Sequence, residues 1–187
     1  MKLVKTAFAS ALALTLVACG GGGGGGDSTG AATAPVAAAV LDKSEFLGTW
    51  KSSDAFCGPS EYNPSYWASN SDLIIGETTV DSSQFLYTDA TCTTKAGKIT
   101  LHLSANFSQG SVVGKTNVAR LILTGTGFST TADGGSGVTL TKLPVTGVPE
   151  KTLLDVDSAK LHLSDPKSAL DADGYPTAIS TTAFLVR

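Results

Sequence analysis

Two histidines, 16% charged residues and 7% aromatics leave this chain of 187 residues short of most side chains that do chemistry. With His102 and His162 alone, a zinc site needs a third ligand, and nothing in the sequence supplies one in register. No G-x-S-x-G elbow is present. The glycines of "GGSG" at 134–137 are followed by neither a helix nor a Lys, so they are no phosphate cradle. Basic clusters are missing as well, and the formal charge is −3, which argues against nucleic acid and anionic lipid as partners. No helical period is evident after residue 43. An enzyme, a metal site and a cofactor are therefore not expected.

Cysteine is scarce too: Cys19, Cys57 and Cys92. The first stands in a telling context. Residues 1–18 read as a signal peptide, with Lys2 and Lys5 ahead of an uncharged apolar run from Thr6 to Ala18. That run is about the length of a signal core and falls short of the roughly 20 apolar residues that cross a bilayer. It ends Leu16-Val17-Ala18-Cys19, which resembles the lipobox of bacterial lipoproteins. The resemblance implies cleavage before Cys19, acylation of its sulfur and new amino group with palmitate-type chains, and a membrane anchor. The alternative is a plain signal peptide with a chance cysteine near its end. Gly20 stands where Asp would hold such a protein at the inner membrane, so the resemblance favours the outer membrane, facing the periplasm or the outside. Residues 19–42, rich in Gly and Ala, read as a flexible tether with a span of roughly 27 Å. Residues 43–187 are then one domain, long enough to bury a core. Losing the signal removes two lysines and no acid, which takes the formal charge to −5.

With Cys19 acylated, Cys57 and Cys92 remain as a pair in an oxidising compartment. Two cysteines without a nearby His make neither a metal nor a redox pair, and a disulfide is expected. Closing a loop of about 36 residues stabilises by roughly 4 kcal/mol on the chain-entropy argument, less any strain.

A period of two recurs along the domain. "KITLHLSA" sets Ile99, Leu101, Leu103 and Ala105 against Thr100, His102 and Ser104; "VARLILTGTGF" sets Leu121 and Leu123 against Arg120, Ile122 and Thr124 before running out through Gly125 and Gly127. "SGVTLTKL" does the same with Val138 and Leu140, and "SAKLHLSD" with Leu161 and Leu163. Adding "EFLGTWKS", "SDLIIG", "SSQFLYTDA", "KTLLDVDS" and "AISTTAFLVR" gives about nine or ten strands of five to eight residues. The stretches between them, such as "LPVTGVPEK" and "LSDPKSALDADGYP", are turn signals. The fold expected is all-β: a single antiparallel barrel, or a closely related sandwich, with polar outward positions unlike those of a membrane barrel. The repeated "LHLS" at 101–104 and 161–164 reflects a shared in-out code or a duplicated half.

Gly48-Thr49-Trp50 opens the first strand and resembles the G-x-W signature of lipocalins and related calycin barrels. That resemblance implies a Trp closing one barrel end under an Arg from a late strand, either Arg187 or Arg120.

Phe46, Trp50, Phe56, Tyr62, Tyr66, Trp67, Phe85 and Tyr87 crowd the first third of the domain. On a Pro-containing loop, Tyr62, Tyr66 and Trp67 are the candidate ligand-binding residues, for a sugar, an apolar molecule or a protein. The competing reading is a plug that completes the core at one barrel end. Asp171, Asp173 and Gly174, with Asp165 nearby, fall short of a calcium loop and suit a tight turn. Asp155 and Asp157 share one strand face, where solvent would screen their repulsion. His102 and His162 are expected to face water. The function expected is a non-catalytic, lipid-anchored envelope lipoprotein that binds a small apolar ligand or a partner. The alternative is a structural or adhesive module without a cavity that meets a protein or glycan.

Overall fold

The computed structural model describes residues 40–52, 56–69, 71–133 and 138–187. The expected signal peptide, Cys19 and nearly all of the tether lie outside the described residues, as does "GGSG". After a 3-10 turn at Lys43–Glu45 come ten strands. The first five are β1 (Gly48–Ser52), β2 (Gly58–Pro59), β3 (Trp67–Ala68), β4 (Asp72–Ile75) and β5 (Thr79–Tyr87). The rest are β6 (Lys95–Gln109), β7 (Val118–Ala132), β8 (Pro149–Asp157), β9 (Lys160–Ser164) and β10 (Ile179–Val186).

Eight strands close an antiparallel barrel in the order β5-β4-β1-β10-β9-β8-β7-β6, with β6 returning to β5. Barrel, not sandwich, is the answer. Apart from the β1–β10 pair and the β2–β3 excursion, every strand pairs with its neighbour in sequence, so connections alternate between the two ends. One end carries the 3-10 turn and the loops at 76–78, 110–117 and 158–159. The other carries the connections 53–71, 88–94, 133–148 and 165–178. β2 and β3 form a small hairpin beside the far part of β5, where Trp67 pairs with Tyr87 and Ala68 with Leu86.

The in-out code of the sequence holds. Ile99 and Ala105 are buried on the inner face of β6, and Leu121 on that of β7. Lengths differ, however: β6 and β7 run 15 residues each, well beyond the expected five to eight. The cause sits at Gly125-Thr126-Gly127, where the sequence suggested an end. His102 pairs with Gly127 and Leu103 with Gly125, so Thr126 is an extra residue in a bulge. Its hydroxyl donates to the His102 carbonyl at 2.9 Å, and β7 continues past the barrel rim. A Cβ on Gly125 would lie 2.9 Å from the Val145 carbonyl, so the β7–β8 connection approaches there as only glycine permits.

A second correction concerns "SGVTLTKL", which forms no strand over 138–143. Val138 and Leu140 still pack inward, but the backbone takes its partners from a loop: Thr141 and Lys142 N–H both donate to the Tyr62 carbonyl. A third concerns Asp155. It is 3% exposed, because Lys115 on the 110–117 loop folds over it at 2.7 Å and reaches Asp157 at 3.5 Å. His162 is half-buried, its Nδ1 3.0 Å from the Ser180 carbonyl and its ring 5.6 Å from Phe184.

The outer face of the barrel also has a core of its own. Val118 and Leu153, outward on β7 and β8, are buried beneath Tyr175 of the 165–178 loop. Arg120 and Lys151 lie over that ring at 4.7 and 5.2 Å.

Candidate functional site

One barrel end is sealed. Gly48 takes φ +121° with open space around it, so backbone conformation and not crowding calls for glycine in the G-x-W stretch. The chain turns there to lay Phe46 and Trp50, both fully buried, across the bore. Trp50 Nε1 donates to the Phe46 carbonyl at 2.7 Å, which satisfies the one polar group the indole brings inside. Arg187, and not Arg120, covers the ring: its guanidinium carbon is 4.5 Å from the centroid, and Nη2 donates to the Glu45 and Leu47 carbonyls. Asp42 caps the 3-10 turn, and hydrogen bonds first from the Ser44 hydroxyl and then from the Ser44 N–H hold its carboxyl below the usual range. Asn117 ties the turn to the 110–117 loop through Asp42 and Glu45.

The bore changes character away from Trp50. Inward rows from β4 through β9 supply Leu73, Leu101, Leu103, Leu121, Leu123 and Leu163, and they leave a cavity of about 240 Å³. That exceeds the roughly 150 Å³ of an apolar protein cavity that takes benzene and falls below the roughly 300 Å³ of pockets for drug-sized ligands. Ser82, Thr152 and Glu150 are its polar lining. The Thr152 hydroxyl is 2.9 Å from that of Ser164. Glu150 is exposed, so the cavity reaches solvent beside it at the start of β8. Leu143, Val145 and Val148, on the connection into β8, are 62%, 73% and 63% exposed.

The aromatic loop packs against the β5–β6 extension. Tyr62 is 8% exposed and packs with Ala68, Leu86 and Ile99 on the inner face of the β5–β6 extension; Tyr66, Val138 and Leu140 join it. Burial is the first cause, and Glu61 the second, of a Tyr62 hydroxyl pKa pushed up to about 12. Trp67 is half-buried on β3. Cys57 and Cys92 are joined as a disulfide, their Cα atoms 5.9 Å apart, pinning the start of this loop to the β5–β6 connection. Tyr62, Tyr66 and Trp67 thus gather at this extension and do not line the cavity. Leu101 belongs to both, packing against the Tyr62 cluster and lining the cavity. The cavity leucines on β6, β7 and β9 were readable as inward positions; Glu150 was not, because it lies in a stretch that reads as a turn. Its signal was parity, two residues ahead of Thr152 and four ahead of Leu154.

Two other polar groupings have other partners. On the outer face Asp81 Oδ1 lies 2.8 Å from His102 Nδ1, and His102 Nε2 lies 3.0 Å from Ser129 Oγ. The connectivity is that of an acid–base–nucleophile relay, which sequence spacing did not show. It lies across the sheet as a half-exposed ladder, with Asp81 directly opposite His102, and none of the described cavities opens on it. Asp171, weighed as a calcium ligand, accepts from the Asp173 and Tyr175 N–H groups and pairs with Arg120, which also reaches Asp173 at 3.1 Å. The backbone bonds, first that from Tyr175, hold its carboxyl below the usual range. Among the described residues no group of three His, Cys, Asp or Glu could hold a metal ion.

No protein-family model and no curated protein matches the chain.

Proposed function

We propose that this chain is a non-catalytic, lipid-anchored envelope lipoprotein that holds a small apolar molecule in the mouth of its barrel. The Leu16-Val17-Ala18-Cys19 stretch supports the anchor, with residues 1–18 removed, Cys19 acylated and residues 19–42 as tether to the outer membrane. The leucine-lined cavity beside Glu150 carries the binding proposal. An empty apolar cavity forfeits contacts that a ligand restores, and each methylene withdrawn from water contributes about 0.8 kcal/mol.

The test is a homologous series of primary alcohols titrated into residues 19–187 with Cys19→Ser, which lacks both signal peptide and acyl chains and so avoids detergent. Affinity rises about fourfold per added methylene until the cavity is full, then levels off. A flat series sinks the binding proposal and leaves the exposed Leu143, Val145 and Val148 as a contact surface of an adhesive module. Mass spectrometry of the chain from its native host tests the anchor. A mature protein beginning at an unacylated residue other than Cys19 overturns it.

A further inference from the structure

We infer that the cavity's ligand is a single-chain amphiphile with a positively charged amine head, the head lying against Glu150. The inference rests on the ligand-binding proposal above. Among the described residues Glu150 is the one ionisable side chain that lines the cavity, and it stands where the cavity meets solvent. Behind it on the same inward row of β8 come Thr152 and then Leu154, so polarity falls with depth. An occupant that matches this gradient is polar at one end only.

The sign of the head follows from what Glu150 lacks. Among the described residues no ion pair engages it. Its neighbour Lys151 points to the outer face, where its ammonium donates to the Asp173 carbonyl and sits over Tyr175. Arg120 is likewise spent on Asp171 and Asp173. The mouth therefore offers an unneutralised carboxylate, and a fatty acid would bring a second one against it. Size fixes the rest: about 240 Å³ suits one alkyl chain rather than two.

The experiment compares decylamine and decanoate by calorimetry at neutral pH and low salt, using residues 19–187 with Cys19→Ser. Decylammonium binds about tenfold more tightly than decanoate. Glu150→Gln brings the two within about twofold, and Glu150→Lys reverses their order. Added salt shrinks the preference without abolishing binding of either. Equal affinities in the parent chain, or a preference that survives Glu150→Gln, overturn the inference while leaving the cavity as a binding site. Binding of neither compound removes the cavity proposal, and this inference falls with it. Glu150 is exposed and makes no buried contact that its replacement would orphan, and an unchanged thermal midpoint checks that both variants fold.

Discussion

The two ends of the barrel are built on the same alternation and come to opposite results. At the sealed end the inward positions meet Phe46 and Trp50, two large rings with every polar group satisfied, and the small residues Ala105 and Ala119 make room for them. Toward the mouth the inward leucines are joined by Ser82, Thr152 and Glu150, and among the described residues no aromatic side chain lines the cavity. The aromatic side chains of that end sit instead on the β5–β6 extension. Whether a small barrel is packed solid or hollow is thus decided by where its loops deliver aromatics, and less by the strands.

Trp50→Ala should do the most damage, about 3–5 kcal/mol in urea denaturation, because it opens a large void and leaves the Arg187 guanidinium without its ring. A loss under about 1 kcal/mol would mean that the sealed end is no better packed than the mouth. Replacing Cys57 and Cys92 together by Ala should cost about 2–4 kcal/mol, and should loosen the aromatic loop before the barrel. Amide exchange checks this: Thr141 and Lys142, bonded to Tyr62, lose protection first. The sharpest contrast comes from enlarging one inward residue at each end. Ala119→Leu overpacks the sealed end and should cost about 1–3 kcal/mol, whereas Leu103→Phe beside the cavity should be neutral or stabilising by about 0.5–2 kcal/mol. The second change should also weaken alcohol binding at least tenfold, and equal stability costs at both ends would erase the distinction.

The smallest effect is one of pH. Hydrogen bonds from Thr91, and then from the Thr93 and Thr94 N–H groups, hold the Asp89 carboxyl well below the usual range, in the connection that carries Cys92. A depressed folded-state pKa contributes stability above the unfolded value of about 3.9, and that contribution fades as pH falls toward the folded value. Urea midpoints measured from pH 6 down to pH 3 should therefore drop more steeply below pH 4 in the parent chain than in Asp89→Asn. Parallel curves would show that this turn carries no such linkage.

Much of the barrel was legible beforehand, because alternation reports which face a residue takes. Leu101, Leu103, Leu121 and Leu163 line the bore as their spacing indicated, and the Cys57–Cys92 pair is joined. Alternation does not report partners. It could not tell closure from a sandwich, which hangs on β1 meeting β10. Nor could it show that Gly125 and Gly127 flank a bulge and not a strand end. Burial of outward groups was equally hidden: Asp155 and Leu153 leave solvent only because the 110–117 and 165–178 loops fold back over the wall. The site was half visible, its leucines by spacing and its carboxylate not at all. Glu150 belongs to the mouth because β8 begins at Pro149, two residues before the expected strand at Lys151.

The β1–β10 pair joins residues near positions 50 and 186, while most other contacts in the wall are made between neighbours along the chain. Contacts between distant residues are the slow ones to make, since a long loop must close first. The meander can therefore assemble as a curled ribbon well before it becomes a ring. The Arg187 side chain, clasping the Glu45 and Leu47 carbonyls across that gap, is the buckle fastened at the finish.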